Sequence, residues 1–314
     1  MDLKSVELDS KNGLLLGLAW INENLHEFAI PNVKSSSFTN EEIVLLKPAS
    51  ELALTVCLLK RCKIDIPVLD RLADWLWTQA SFGSTFSHIL IARNDFLPAC
   101  AFYSSLYQLG YRSKVLSSIL KTLAISDFSK FLPIQPWAQL AIEYNLWKLR
   151  LIPFKEIRQN NLYVTGLPEP WVISNEIAYA ITHEIFYLSD FGFRKLKIRH
   201  LKDYLLLWIP YWTNTFISEH DNDLTSEFSM IYSSIQGEEH DISKHPLIGL
   251  FIQQQSNGLV KGPEGAGSYL FNKGDTENRR NFLSNYHTTL VFIMANALFL
   301  RNSNKITKSK LLRA

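Results

Sequence analysis

Cysteine is scarce in this 314-residue chain, and the three present, Cys57, Cys62 and Cys100, match neither a redox C-x-x-C pair nor a common zinc-ligand spacing. An odd number of thiols set among Leu, Ala, Val and Phe is expected to stay reduced, which points to the cytoplasm. Long apolar runs are missing too. The nearest candidate, residues 201–217, is broken by Lys202, Asp203, Thr213 and Asn214, so it reads as an amphipathic helix and no membrane span is expected. The opening Met1-Asp2-Leu3-Lys4-Ser5 has no basic region leading into an apolar one, so no secretory leader is expected. Nor is there an excess of one charge. The net charge is +2 with the basic residues scattered, which argues against a nucleic-acid surface.

Several chemical signatures are lacking as well. Gly258, Gly262, Gly265 and Gly267 are not followed by Gly-Lys-Ser/Thr, so they form no phosphate loop. No Gly-x-Ser-x-Gly elbow occurs, which counts against an α/β-hydrolase. The nearest thing to a magnesium-binding Asp-Asp-x-x-Asp run is His220-Asp221-Asn222-Asp223, which reads as a solvated loop between helices. His240 and His245 fall in a polar stretch and are expected to be exposed. No cofactor is implied.

What the chain does hold is apolar and aromatic side chains. Hydrophobic residues make up 47%, including 19 Phe, 12 Tyr and 8 Trp, against only 20% charged, so compaction is expected rather than disorder. Strand patterns are rare, whereas apolar residues recur at helical spacing. They predict an all-α protein with an N-terminal helix within 1–31, helical hairpins over 41–300 and a frayed basic tail over 301–314. The pairs are 50–61 with 68–79, 96–108 with 114–123, 137–149 with a short segment near 154–160, 175–189 with 201–218, and 224–236 with 246–255. A last helix is expected over 285–300, with Ser284 as its cap. Glycines such as Gly110 and Gly258 follow helical runs, and Pro67, Pro136 and Pro246 lie near helix starts. The pairs repeat every 40 to 50 residues or so, the mark of stacked hairpins in one helical-repeat domain spanning 1–314. Residues 256–281 read as a long loop, a candidate lid.

The hairpins can stack as an open solenoid or close into a ring. The turn Gln253-Gln254-Gln255-Ser256-Asn257-Gly258 resembles the Gln-x-x-Asp-Gly turn of terpenoid-cyclase and prenyltransferase-like toroids, with Asn257 in place of Asp. That resemblance implies an α/α toroid, complete or incomplete. A second resemblance rests on Gly166-Leu167-Pro168-Glu169-Pro170-Trp171, on residues 179–192 around His183, on Asn285-Tyr286-His287-Thr288-Thr289-Leu290, and on Leu46-Lys47-Pro48 followed by Glu51. These resemble an uncharacterised bacterial domain-of-unknown-function family often encoded beside natural-product biosynthesis genes. The resemblance implies a bacterial, cytoplasmic setting in secondary metabolism and brings no established activity.

Candidate chemistry centres on the helix 175–189, with Ser174 as its N-cap. Glu176, Ala180, His183, Tyr187 and Asp190 are spaced by four, three, four and three, so they share one stripe. A histidine with a tyrosine one turn on and an acid beyond it suits an oriented base, and His287 offers a second base on the last helix. The candidate catalytic residues are therefore His183, His287, Asp190 and Tyr187, with Glu176, Tyr179, Tyr286, Thr288 and Glu51 as candidate substrate contacts. A zinc site of His183, Asp190 and His287 is not expected, since no cysteine stands near. The opposing reading is that both histidines are core residues satisfied by hydrogen bonds. Two functions follow: a tailoring or accessory enzyme acting on a small or peptidic metabolite by histidine acid/base chemistry, or a non-catalytic metabolite-binding or scaffold protein partnered by other biosynthetic proteins.

Overall fold

The computed structural model describes residues 2–30, 44–93, 96–126, 134–154, 162–235, 243 and 245–313. Among them the protein is all-α: twelve α-helices, no strand, and one isolated bridge between Gln254 and Val260. The helices are α1 (Leu3–Glu23), α2 (Leu46–Arg61), α3 (Pro67–Gln79), α4 (Ser84–Arg93), α5 (Phe96–Gln108), α6 (Lys114–Ile125), α7 (Pro136–Lys148), α8 (Asn175–Ser189), α9 (Leu201–Ser218), α10 (Asn222–Ile235), α11 (Leu247–Phe251) and α12 (Glu277–Arg313). Among the described residues, no helix is long and apolar enough to cross a membrane. Cys57, Cys62 and Cys100 are all buried and unbridged, as expected.

The chain divides into two compact units, one holding α2–α7 and the other α1 with α8–α12. In the first, α5 packs against α2, α4 and α7. Phe86 of α4 stacks on Phe102 of α5 with centroids 4.3 Å apart, and Ser104 of α5 donates to Asn145 Oδ1 of α7 at 2.5 Å. Trp77 of α3 stacks on Tyr103. In the second unit α10 packs against α8, α9, α11 and α12, and α1 packs against α12. Trp212 of α9 and Phe228 of α10 meet with centroids 5.4 Å apart. Trp77 and Trp212 are thus packing residues.

Gly13 and Gly17 lie one turn apart on the buried stripe of α1, and they let it approach α12. A Cβ on Gly17 would stand 2.6 Å from Ile293. The turn that resembled the toroid motif docks on the same helix. Gln254 Nε2 donates to Gly13 O at 2.9 Å and to Gly258 O at 3.0 Å, and Asn257 Oδ1 accepts from Leu259 N. Gly258 has φ +94°, and a Cβ there would lie 2.1 Å from the carbonyl oxygen of Leu16. Gly258→Ala therefore combines left-handed strain with a clash against backbone that cannot give, and should cost roughly 2–4 kcal/mol. Gly110→Ala is the control, because Gly110 has φ +106° but nothing within 4 Å of its Cβ position. Urea unfolding should show the Gly258 variant well below the Gly110 variant; equal midpoints would refute the clash.

The structure corrects the sequence reading in several places. Residues 256–281 are no lid but are fastened to α12. Val260 N donates to Thr289 Oγ1 and Gly262 N to Asn285 Oδ1, while Leu259, Val260 and Leu270 are buried. The last helix begins at Glu277, so Ser284 is internal and His287 stands three turns in. The helix also runs on to Arg313, with no frayed tail from 301. α11 ends at Phe251, four residues short of the span expected, where the docked turn begins. The helix Ser84–Arg93 was not expected: Phe86, Ile89 and Leu90 keep the i, i+3, i+4 spacing, but the run is short and exposed Ile91 blurs it. His245 is buried, not exposed. His240, the polar stretch 32–40 and the segment near 154–160, apart from Phe154, lie outside the described residues.

Candidate functional site

Every residue of α10 from Asn222 to Ser233 is buried. Such a helix has no solvent face, so its polar side chains must be answered within the protein. Thr225, Ser226 and Ser229 donate to the carbonyls of Asp221, Asn222 and Thr225, four residues back, at 2.7 Å each. Asp221 caps the helix: its Oδ1 accepts from Leu224 N at 2.9 Å and its Oδ2 from Asn175 Nδ2 at 3.3 Å. His220-Asp221-Asn222-Asp223 is thus not a solvated loop. His220 is exposed, but Asp221, Asn222 and Asp223 are buried where α10 begins.

Two carboxylates, Asp223 and Glu227, stand one turn apart on α10, and α8 and α12 close over them. From α8, Tyr179 Oη donates to Asp223 Oδ2 at 2.8 Å, and Thr182 Oγ1 donates to Glu227 Oε2. From α12, His287 Nε2 lies 3.6 Å from Asp223 Oδ2 and 4.0 Å from Glu227 Oε1. His183 Nδ1 lies 3.9 Å from Glu227 Oε2. The two histidines singled out in the sequence therefore meet on one buried carboxyl group. Their side chains are 25% and 29% exposed against 3% for Glu227 and 8% for Asp223, so the imidazoles form the wet edge of the site and the carboxyls its dry floor.

The hydrogen bonds fix protonation states. His183 Nδ1 lies 2.7 Å from Tyr179 O, and a carbonyl can only accept, so Nδ1 carries a proton and Nε2 is the nitrogen left open. Burial, with Asp223 nearby, pushes the Glu227 carboxyl well above the usual range; His287 and the Thr182 hydrogen bond pull it partly back. Asp221 is pushed up to about 6, mainly by burial. Burial first and then Asp223 raise the Tyr179 phenol far above its ordinary value, which keeps it a donor.

The other expected residues divide. Tyr179 belongs to the site but holds Asp223. Tyr187 packs beside His183 with ring centroids 6.4 Å apart and meets Phe191 edge-on. Asp190 is buried and closes α8 with φ +50°. The carboxyls within ion-pair distance of His183 and His287 include Glu227 and Asp223. Glu176 is exposed in the first turn of α8. Tyr286 is buried, stacked on Phe282 and edge-on to His287. Thr288 is buried, its Oγ1 3.3 Å from where a Cβ on Gly262 would stand. Glu51 lies on α2, in the other unit, 3.7 Å from Lys47. Sequence reasoning missed Asp223, Glu227 and Thr182. A signal was present: α10 carries carboxylates at i and i+4 among Ser and Thr, with no Lys or Arg to mark a solvent face.

Fold and site together define an all-α protein in which three helices bring two histidines onto a buried carboxylate pair. The chain belongs to the family described as Domain of unknown function (DUF6895), whose model matches residues 14–297. No curated protein and no solved structure matches it.

Proposed function

We propose that the chain is an enzyme that transfers protons on a small or peptidic metabolite, with His183 and His287 as the acid/base pair. One observation carries this: two partly exposed imidazoles from different helices converge on the same buried carboxyl group, Glu227. Each ring is held at one nitrogen, His183 by the Tyr179 carbonyl and His287 beside Asp223, which orients the other nitrogen for proton exchange. Epimerisation, elimination or cyclisation is the chemistry such a pair suits. A tailoring step in a bacterial biosynthetic pathway is the setting we assign to it. Binding without turnover is the second reading, favoured by the rings of Tyr179, Phe186 and Tyr187 around His183.

The test compares untargeted metabolite profiles of producing cells carrying the intact gene, no gene, or the His183→Gln/His287→Gln double variant. A product lost equally without the gene and with the variant, as its precursor accumulates, supports catalysis. Full output from the variant would refute the acid/base reading and leave binding.

A further inference from the structure

We propose that Asp223, Glu227 and His287 hold a divalent transition-metal ion, with His183 standing beside it as the base. The inference rests on reading this same cluster as the functional site, and it gives His287 to the ion, leaving His183 as the proton-transfer group. One ligand atom from each of the three residues lies within 4.8 Å of the others, and His287 Nε2 is 3.6 and 4.0 Å from the two carboxylates. With metal–donor bonds of about 2.0–2.2 Å, tetrahedral donors stand ~3.4 Å apart, so closing on an ion asks the side chains to draw together by about an ångström or less for the two histidine–carboxylate pairs.

A second observation points to a missing partner. Asp223 is 95% buried, yet its Oδ1 meets no hydrogen-bond donor among the described residues. Buried carboxylate oxygens are rarely left so. The charges agree. Among the described residues, the basic groups within ion-pair distance of Asp223 and Glu227 are the two histidines, with no lysine or arginine. A divalent cation answers two buried carboxylates; a neutral imidazole does not.

The supporting groups are also in place. Tyr179 takes Asp223 Oδ2 and Thr182 takes Glu227 Oε2, which turns Glu227 Oε1 toward His287. Hydrogen bonds of this kind orient carboxylate ligands. His183 turns Nδ1, its nitrogen 3.9 Å from Glu227, to Tyr179 O, so Nε2 is the nitrogen left open, and we assign it to proton transfer. One imidazole with two carboxylates suits Mn²⁺, Fe²⁺ or Zn²⁺ better than the all-oxygen preference of Ca²⁺ or Mg²⁺. Three protein ligands leave a coordination position where an ion activates water or polarises a substrate oxygen.

The test uses the full chain, stripped with chelator and then titrated with Mn²⁺, Zn²⁺ or anaerobic Fe²⁺ alone, read by calorimetry and elemental analysis. At least one ion should bind at about one equivalent and raise the melting temperature. His287→Gln should lose that equivalent and His183→Gln should keep it. Tyr179→Phe should weaken binding roughly 10- to 100-fold. Asp223→Asn and Glu227→Gln should also lose the ion; if either fails to fold, the partly exposed His287 variant, checked by circular dichroism, decides. No equivalent of any of the three ions, or equal binding by His287→Gln, would overturn the proposal. If no metal binds while His183→Gln still abolishes product, the metal site falls and the proton-transfer reading stands. If the metal binds but His183→Gln leaves product unchanged, the reverse holds.

Discussion

His183→Gln is expected to slow formation of the metabolite roughly 10²- to 10⁴-fold, the usual share of a general acid or base. Its melting temperature should stay within about 1.5 °C of the parent, or roughly 1 kcal/mol for a chain of this size. Glutamine tests the idea well. It keeps good helix propensity in α8 and, at a side chain 25% exposed, leaves little empty volume. Its amide N–H can still seek the Tyr179 carbonyl, but no atom of it titrates near neutral pH. A core histidine would behave in the opposite way, with stability falling and output following stability. A fall of ~8 °C or more, with output restored on cooling, would identify His183 as packing.

The second large effect is acid lability at His245. Its ring is buried among Tyr232 and Phe299, both edge-on. Nδ1 accepts from Leu247 N at 3.2 Å, so the ring proton is on Nε2 and is offered to Ser233 Oγ at 3.0 Å. Both nitrogens are satisfied in the neutral form, and burial lowers the pKa from 6.5 to about 3. Below pH 6.5 the unfolded chain takes up a proton that the folded ring refuses until about pH 3. The unfolded state thus binds more protons throughout that window, and stability falls with pH. At 1.36 kcal/mol per unit the loss is roughly 2 kcal/mol at pH 5 and approaches ~5 kcal/mol near pH 3. Asp221, raised to about 6, works in the opposite direction, so the comparison is made between variants that share it. His245→Asn keeps an acceptor for Leu247 and does not titrate. The stability gap between parent and variant, measured by urea unfolding, should shift in the variant's favour as pH falls from 7 to 5. Parallel curves would exclude the mechanism.

Much of the fold was legible because most helices announce themselves by period and punctuation. Ser174 caps α8 at the residue expected, and α8 and α9 carry the expected bounds. The two histidines were legible for a different reason, as titratable groups beside tyrosines and other polar residues within helical runs. Their partners were not. Asp223 read as part of a solvated loop and Glu227 went unremarked because sequence alone shows no neighbours, and four other helices cover α10 from outside. Asp190 is a different case. A shared stripe fixes direction, but seven residues of helix also place it about 10 Å along the axis from His183.

The pairing of α1 with α12 bears on how the chain is made. The helices α2–α7 of the other unit follow one another in sequence and have their own core, so they can pack while the remainder is still being synthesised. The unit that bears the site is assembled from both ends of the chain, and its donors come from α8, α10 and α12. Until His287 has cleared the ribosome, the apolar stripe of α1 and the carboxylates of α10 lack the helix that covers them. Nascent chains stopped before that point should carry an exposed, sticky α1 and recruit chaperones, and the site should appear all at once, when α12 joins.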